Sequence, residues 1–277
     1  MLLRNRGLLA MLLIGLMAAT AGFWIWHGAS SKPDAASPLV LMSSIDLQWG
    51  EAGLDEVARG EGGPDPLFER LSRDRTLVAV DNVAQLQASR AKVAMLVQPR
   101  PFAPEDLVRL DQWVRAGGRL LFFADPALQW PSDLPIGDPA RPLFTSMHSP
   151  LFKHWGVELA LPMEDEATTA EADVPVGKQE ITTLSAGQWR SLDTGTGRCR
   201  IANILLIAEC RPGKGQVILV ADADLLHASL WQSALPGADS SANMDWLDHV
   251  LTRLAEGIRV VGQGGEILDN AGDENGP

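Results

Sequence analysis

The stretch from Lys92 to Pro126, KVAMLVQPRPFAPEDLVRLDQWVRAGGRLLFFADP, leaves this chain few folds to choose from. Two apolar runs of strand length, Val93 to Val97 and Leu120 to Ala124, bracket a segment in which Leu107, Leu110, Trp113 and Val114 recur at helical spacing. Pro104 suits a first helical turn, where a missing N–H costs nothing. Glu105 and Asp106 complement the positive helix end, and Gly117-Gly118 supply a left-handed exit. Two buried strands joined through a helix make a right-handed crossover in a parallel sheet. An α/β domain is therefore expected around this block.

The flanking sequence extends the pattern. Leu39 to Ile45 reads as a first strand and Thr76 to Val80 as a second, with short helices at Phe68 to Leu71 and Gln85 to Ser89. Asp46 to Pro66 is acidic and glycine-rich and reads as a loop. Strands alternating with helical pieces predict a doubly wound sheet, and such sheets bind ligands beyond the carboxyl ends of their strands. Those ends carry Ser43, Ser44, Asp81, Asn82, Gln98 and Asp125. Pro126, Pro131, Pro135, Pro139 and Pro142 forbid a helix or central strand, predicting an ordered excursion over the sheet edge. Pro150 to Trp155 reads as a short helix, Val157 to Leu161 as a strand, and Glu164 to Lys178 as a mobile acidic loop. Ile204 to Ala208 and Gln216 to Ala221 flank the turn Arg211-Pro-Gly-Lys-Gly215, giving a C-terminal β-hairpin. Ser240 or Ser241 can cap a final helix with Met244, Leu247, Val250, Leu251 and Leu254 on one face, ending at Gly257. The glycine-rich, acidic segment 262–277 is expected to be a disordered tail.

At the other end, Arg4 and Arg6 precede an apolar run from Gly7 to Trp26. Some 20 residues at 1.5 Å each span about 30 Å as a helix, the thickness of a bilayer core. The arginines would stay cytoplasmic, placing the rest of the chain outside a bacterial inner membrane as a single-pass protein. Ala19-Thr20-Ala21 resembles a signal-peptidase site, but the apolar stretch continues through Phe23-Trp-Ile-Trp26, which favours an uncleaved signal anchor. The expected organisation is an anchor at 1–30, a linker at 31–38, an α/β domain at 39–261 and the tail at 262–277. The net charge of −12, with no run of basic residues after Arg6, argues against a nucleic-acid partner.

With these residues in view, the chain resembles the auxiliary extracytoplasmic proteins of uncharacterised ABC-type transport systems, including those linked to gliding motility. The features that carry the likeness are QPRPFAPEDLVRLDQWVRAGGRLLFFADP, the pattern GKGQVILVADADLL with Asn243 ahead of the last helix, and SSIDLQW ending at Trp49. The resemblance implies a flavodoxin-like, class I glutamine-amidotransferase-like parallel sheet with helices on both faces, preceded by one transmembrane helix. It also implies non-catalytic work beside ABC transporter permease and ATPase subunits, reached through the inner membrane by residues 7–26. This chain has no phosphate-binding loop of its own and no cofactor is expected.

An amidotransferase of this fold would need a nucleophilic Cys on a tight strand-to-helix turn. The corresponding place is Gln98-Pro99-Arg100-Pro101, without Cys or Ser and with two residues lacking an N–H. A divergent hydrolase would have to use Ser43 or Ser44 with His148 or His227. A small-molecule or sugar-binding domain would use the crevice of strand-end residues, Trp49 included, together with Asp222 and Asp224. Asp222 and Asp224, two apart, share one face of an extended chain and with Asp125 could hold a hard cation, or else cap the following turn. His148 and His154 lack a partner ligand for zinc. Trp113 and Trp246 sit on helices that must bury a face, which favours core packing. Cys199 and Cys210 lie on strand-like segments in a compartment expected to be oxidising, where they form either a disulfide or two separate buried thiols.

Overall fold

A computed structural model describes residues 37–48, 59, 63–161, 171–232 and 241–269. The chain divides into two units, Met1–Ser37 and Pro38–Pro277. The anchor at 7–26, most of the linker, Trp49 and the end of the tail lie outside the described residues. Among those described, no helix is long and apolar enough to cross a membrane.

The second unit is built on a seven-stranded sheet. Its strands are β1 (Leu39–Ser43), β2 (Leu77–Ala79), β3 (Val93–Val97), β4 (Arg119–Phe123), β9 (Arg200–Ile201), β10 (Ile207–Cys210) and β11 (Gln216–Val220). The spatial order is β2-β1-β3-β4-β11-β10-β9. The first five in that order pair parallel, and β10 and β9 extend the sheet antiparallel. The block Val93 to Phe123 forms the predicted crossover, with α3 (Pro104–Arg115) between β3 and β4. Its strands are buried on both faces, as near-continuous apolar runs require. Gly118, which starts the return to β4, can carry no side chain. A Cβ there would lie 2.5 Å from the indole of Trp113.

Helices cover both faces. Neighbouring strand residues point to opposite sides. Phe122 meets Phe152 of α4 (Ser149–Trp155) edge-on at 5.3 Å, while Phe123 meets Trp246 of α5 (Ala242–Glu256) at 6.4 Å. On the α5 side, Arg70 of α1 (Pro66–Asp74) pairs with Asp248 at 2.5 Å. On the α4 side, Trp155 donates its indole N–H to Asp111 of α3 at 2.8 Å, and α2 (Val83–Ala88) packs against α3. The caps follow the sequence: Asn82 accepts from Gln85 N, Ser241 from Met244 N, and Gly257 ends α5 at φ 78.

Two expectations are corrected and two are made more specific. The acidic segment Glu164 to Lys178 is not wholly a loop, because β6 (Glu171–Val176) pairs antiparallel with β7 (Gln179–Leu184) through a tight turn at Gly177, φ 63. Alternation of Ala172, Val174 and Val176 offers an apolar stripe that composition alone conceals, and Val176 is buried. The expected strand at Val157 forms, and β5 (Val157–Ala160) pairs with β8 (Gln188–Ser191) outside the main sheet. Residues 262–269 are not a disordered tail: Leu268 N donates to Val260 O at 2.8 Å and Gly262 N to Glu266 O at 2.8 Å, so they fold back on the domain. Finally, the proline-rich segment lies over the strand ends, where Ser146 N reaches Asp125 O at 2.7 Å and Gln98 Nε2 reaches Leu143 O at 3.0 Å.

Candidate functional site

The carboxyl ends of β1, β3, β4 and β11 converge on a buried polar knot. Gln98 follows β3 at φ 42, a left-handed conformation uncommon for a residue with a side chain. A sharp, strained turn of this kind is where a nucleophile would sit in related architectures. Here Gln98 is fully buried and its amide is consumed locally. Oε1 accepts from Asp125 N at 2.9 Å, and Nε2 donates to Asp125 O at 3.2 Å and to Leu143 O. Ser44 donates its hydroxyl to the carbonyl of Gln98, and Ser43 Oγ accepts from Ile45 N. Neither serine is hydrogen-bonded to a histidine, so the hydrolase arrangement is not assembled. His148 is instead packed among Phe102 and Phe122, with Ser146 Oγ at 3.3 Å from Nδ1, and burial pushes its pKa down to about 4. His227 is bonded to Ser229. His154 lies beside Arg115 and Thr196, with Asp111 at 3.6 Å.

Asp125, Asp222 and Asp224 come together, each offering an oxygen within 4.8 Å of the others, and all three are buried. Five of their six oxygens accept a backbone N–H. Asp125 takes Ala127 N at 2.7 Å and Ala223 N at 2.9 Å; Asp222 takes Leu225 N at 2.9 Å and Leu184 N at 3.0 Å; Asp224 Oδ2 takes Gln129 N at 2.7 Å. Asp224 Oδ1 alone has no partner. The donor set would suit a hard cation, but the occupied oxygens show a more immediate use. They tie the loop after β4, the end of β7 and the turn after β11 into one junction. Burial, reinforced by the neighbouring carboxylates, pushes Asp125 up to about 7 and Asp222 well above the usual range; burial alone takes Asp224 to about 6. Asn243 adjoins this junction, bridging Thr182 N and O and Leu225 O at 2.8 Å each.

The remaining strand-end residues stand apart. Asp81 and Asn82 are exposed at the edge strand β2 and serve α2, with Asp81 N donating to Gln85 Oε1 at 2.7 Å. Ser44, Gln98 and Asp125 are one cluster continuous with Asp222 and Asp224, whereas Ser43 bonds locally to Ile45 N and Asp81 and Asn82 belong to a helix cap. Sequence reading missed Ser185 and Glu209. Ser185, at φ 56, donates to Ala127 O at 3.0 Å beside Asp224. Glu209, buried in β10, accepts from Val260 N and Val261 N at 2.7 and 3.0 Å. A charged residue inside an apolar strand run was its available signal. Cys199 and Cys210 are joined as a disulfide.

The family described as ABC-type uncharacterized transport system matches residues 69–196. Solved structures with similar backbones include the exo-beta-1,4-mannosidase Op5Man5 from Opitutaceae bacterium strain TAV5, at 15% identity and TM-score 0.40 over 80% of this chain and 35% of that one. A beta-galactosidase from Bacillus circulans sp. alkalophilus gives 13% and 0.42 over 85% and 33%. A cytoplasmic protein from Salmonella typhimurium gives 11% and 0.42 over 78% and 98%. This chain thus spans about a third of the length of the two glycosidases, and at these scores they say nothing of its chemistry. No curated protein matches it. The matched stretch runs from α1 through the β3-α3-β4 crossover to the end of β8 and beyond, and over those residues the chain is similar to the ABC-type uncharacterized transport system family.

Proposed function

We propose that this protein is a non-catalytic auxiliary subunit of an ABC-type transport system, held at the outer side of the bacterial inner membrane by its N-terminal apolar segment. Its body would be a flavodoxin-like, amidotransferase-like sheet put to use as a docking scaffold. The family match supports the transport assignment. The observation that carries the non-catalytic part is Gln98. The strained position at the exit of β3 holds an amide spent on Asp125 and Leu143, between two strand ends and next to Pro99. A turn without a nucleophile, and with prolines in place of two N–H donors, has neither the attacking group nor the oxyanion donors that acyl transfer needs. The permease and ATPase subunits come from other chains, and contacts with them would use the domain surface.

Affinity purification of the full chain from detergent-solubilised membranes tests this reading. ATPase and permease subunits should co-elute in fixed ratio. Recovery of this chain by itself, under conditions that keep other ABC assemblies intact, would defeat it.

A further inference from the structure

We propose that a cavity at the β9–β10 edge binds a phosphate-bearing anion through Arg198, Arg200, Arg211, Lys214 and Arg259. The cavity has a volume of about 440 Å³, within the usual range for small-ligand sites. Five of the eight residues lining it are cationic and none is acidic, in a chain whose net charge is −12. No run of sequence announces this cluster, because Arg198 and Arg200, Arg211 and Lys214, and Arg259 come from three separate segments. The expectation that basic residues do not gather after Arg6 holds for the sequence and fails for the fold.

The architecture holds these cations at one place. Arg198 and Arg200 flank Cys199, and Arg211 follows Cys210; the register of β9 on β10 sets the two cysteines opposite each other, and the disulfide fixes them. Lys214 stands in the β10–β11 turn, where Gly213 at φ 60 and Gly215 press against the end of α3. Arg259 follows the C-terminus of α5.

Within this group Glu209 is ion-paired with Arg211 at 2.8 Å and Arg259 at 3.6 Å. Its oxygens are already taken up by two backbone N–H groups, the Arg211 guanidinium and Gln216 Nε2 at 3.3 Å. Arg198 reaches only carbonyls, Arg211 O at 3.3 Å and Gly213 O at 3.5 Å, and Arg200 reaches Val261 O at 3.5 Å. Carbonyls orient a guanidinium without cancelling its charge. Among the described residues Lys214 has no ion pair. Guanidinium forks and one ammonium around a concave site are the donor set for phosphate, the forks bidentate and the lysine a point charge. The volume exceeds that of the phosphate group itself and leaves room for an attached organic body. That body is either a soluble phosphomonoester or the headgroup of an anionic phospholipid.

The full chain, purified in an uncharged maltoside detergent at low salt, would be titrated calorimetrically with glycerol 3-phosphate and, separately, with dihexanoyl phosphatidylglycerol. At least one should bind, with affinity falling as salt rises. Arg198→Gln and Lys214→Gln, both at exposed positions, should each weaken binding by about tenfold. Lys178→Gln, an exposed cation outside the cavity, should bind as the parent does. Binding of glycerol 3-phosphate alone assigns a soluble ligand; binding of the phosphatidylglycerol alone assigns a headgroup; binding of both assigns the shared phosphate. Binding of neither probe, or equal binding by the Arg198→Gln/Lys214→Gln double variant, overturns the site.

Discussion

At the scale of single residues, the three strand-end aspartates set a dependence on pH. An aspartate in an unfolded chain titrates near 4, whereas burial raises Asp125 to about 7 and Asp224 to about 6, with Asp222 well above its usual range. The folded state therefore holds protons that the unfolded state has released. The stability these groups contribute is fully present below the unfolded pKa and is lost as pH rises through about 6 to 7. The melting temperature should fall between pH 5 and pH 8, opposite to the trend for salt-bridged carboxylates. Asp224→Asn offers an uncharged amide to the cluster at the oxygen that lacks a partner, so it should flatten this slope and raise Tm at pH 8. Each kcal/mol appears as about 2–4 °C in a domain of this size. Thermal scans across pH check both points, and a Tm that climbs steadily from pH 5 to 8 would refute the assignment. Magnesium or calcium that raises Tm in the parent but not in Asp224→Asn would reassign the cluster as a cation site. Gln98→Leu is a second probe, because it keeps the volume while removing every bond of the amide. Asp125 N and Leu143 O then lose a partner in the interior while Asp125 O keeps Ser146 N, costing about 1–3 kcal/mol for each group left unsatisfied, measurable by urea unfolding. The sequence located Gln98, Asp125, Asp222 and Asp224 at strand ends, since apolar runs show where strands stop. It did not show that their side chains meet, because loop paths such as Asp125 to Ser146 decide that.

At the scale of elements, strong periodicity was readable and weak periodicity was not. The crossover over 93–123 has long buried runs, a proline start and a glycine exit, so its local preferences agree with one another. The β6–β7 hairpin is short, half exposed and interrupted by Pro175, and it packs against α5 and the turn after β11. Its existence depends on those neighbours rather than on its own sequence. Tertiary context likewise separates β5 from the main sheet, as nothing in VELA specifies which partner it takes. The disulfide between β9 and β10 closes a loop with a sequence separation of 11, for which loop-closure entropy gives about 3 kcal/mol. Replacing both cysteines with serine should lower Tm by roughly 6–12 °C at about 2–4 °C per kcal/mol. The unreduced, unfolded chain should show no reactive thiol, and two thiols in that titration would exclude the bond. Because Arg198, Arg200 and Arg211 adjoin the two cysteines, the same variant should also loosen the cation cluster.

At the scale of the whole molecule, compartment and stability become one question. A bond worth about 3 kcal/mol is a large share of a typical folding free energy of about 5–15 kcal/mol, and it forms where thiols are oxidised. In the proposed reading the N-terminal segment Gly7 to Trp26 spans the bilayer, and Arg4 and Arg6 would favour the orientation that exports all that follows. An enzyme reporter that folds only outside the cytoplasm, fused after Pro277, should therefore be active and should sediment with membranes after an alkaline wash. Removing residues 1–30 should abolish that activity and leave Cys199 and Cys210 as free thiols in the cytosol. That shortened chain should regain the disulfide and the lost Tm when oxidised in vitro, which separates a failure of export from a failure of folding. A reporter active only as a cytosolic fusion would remove the membrane-side reading. The strand-end knot and the basic cavity would then need a partner inside the cell.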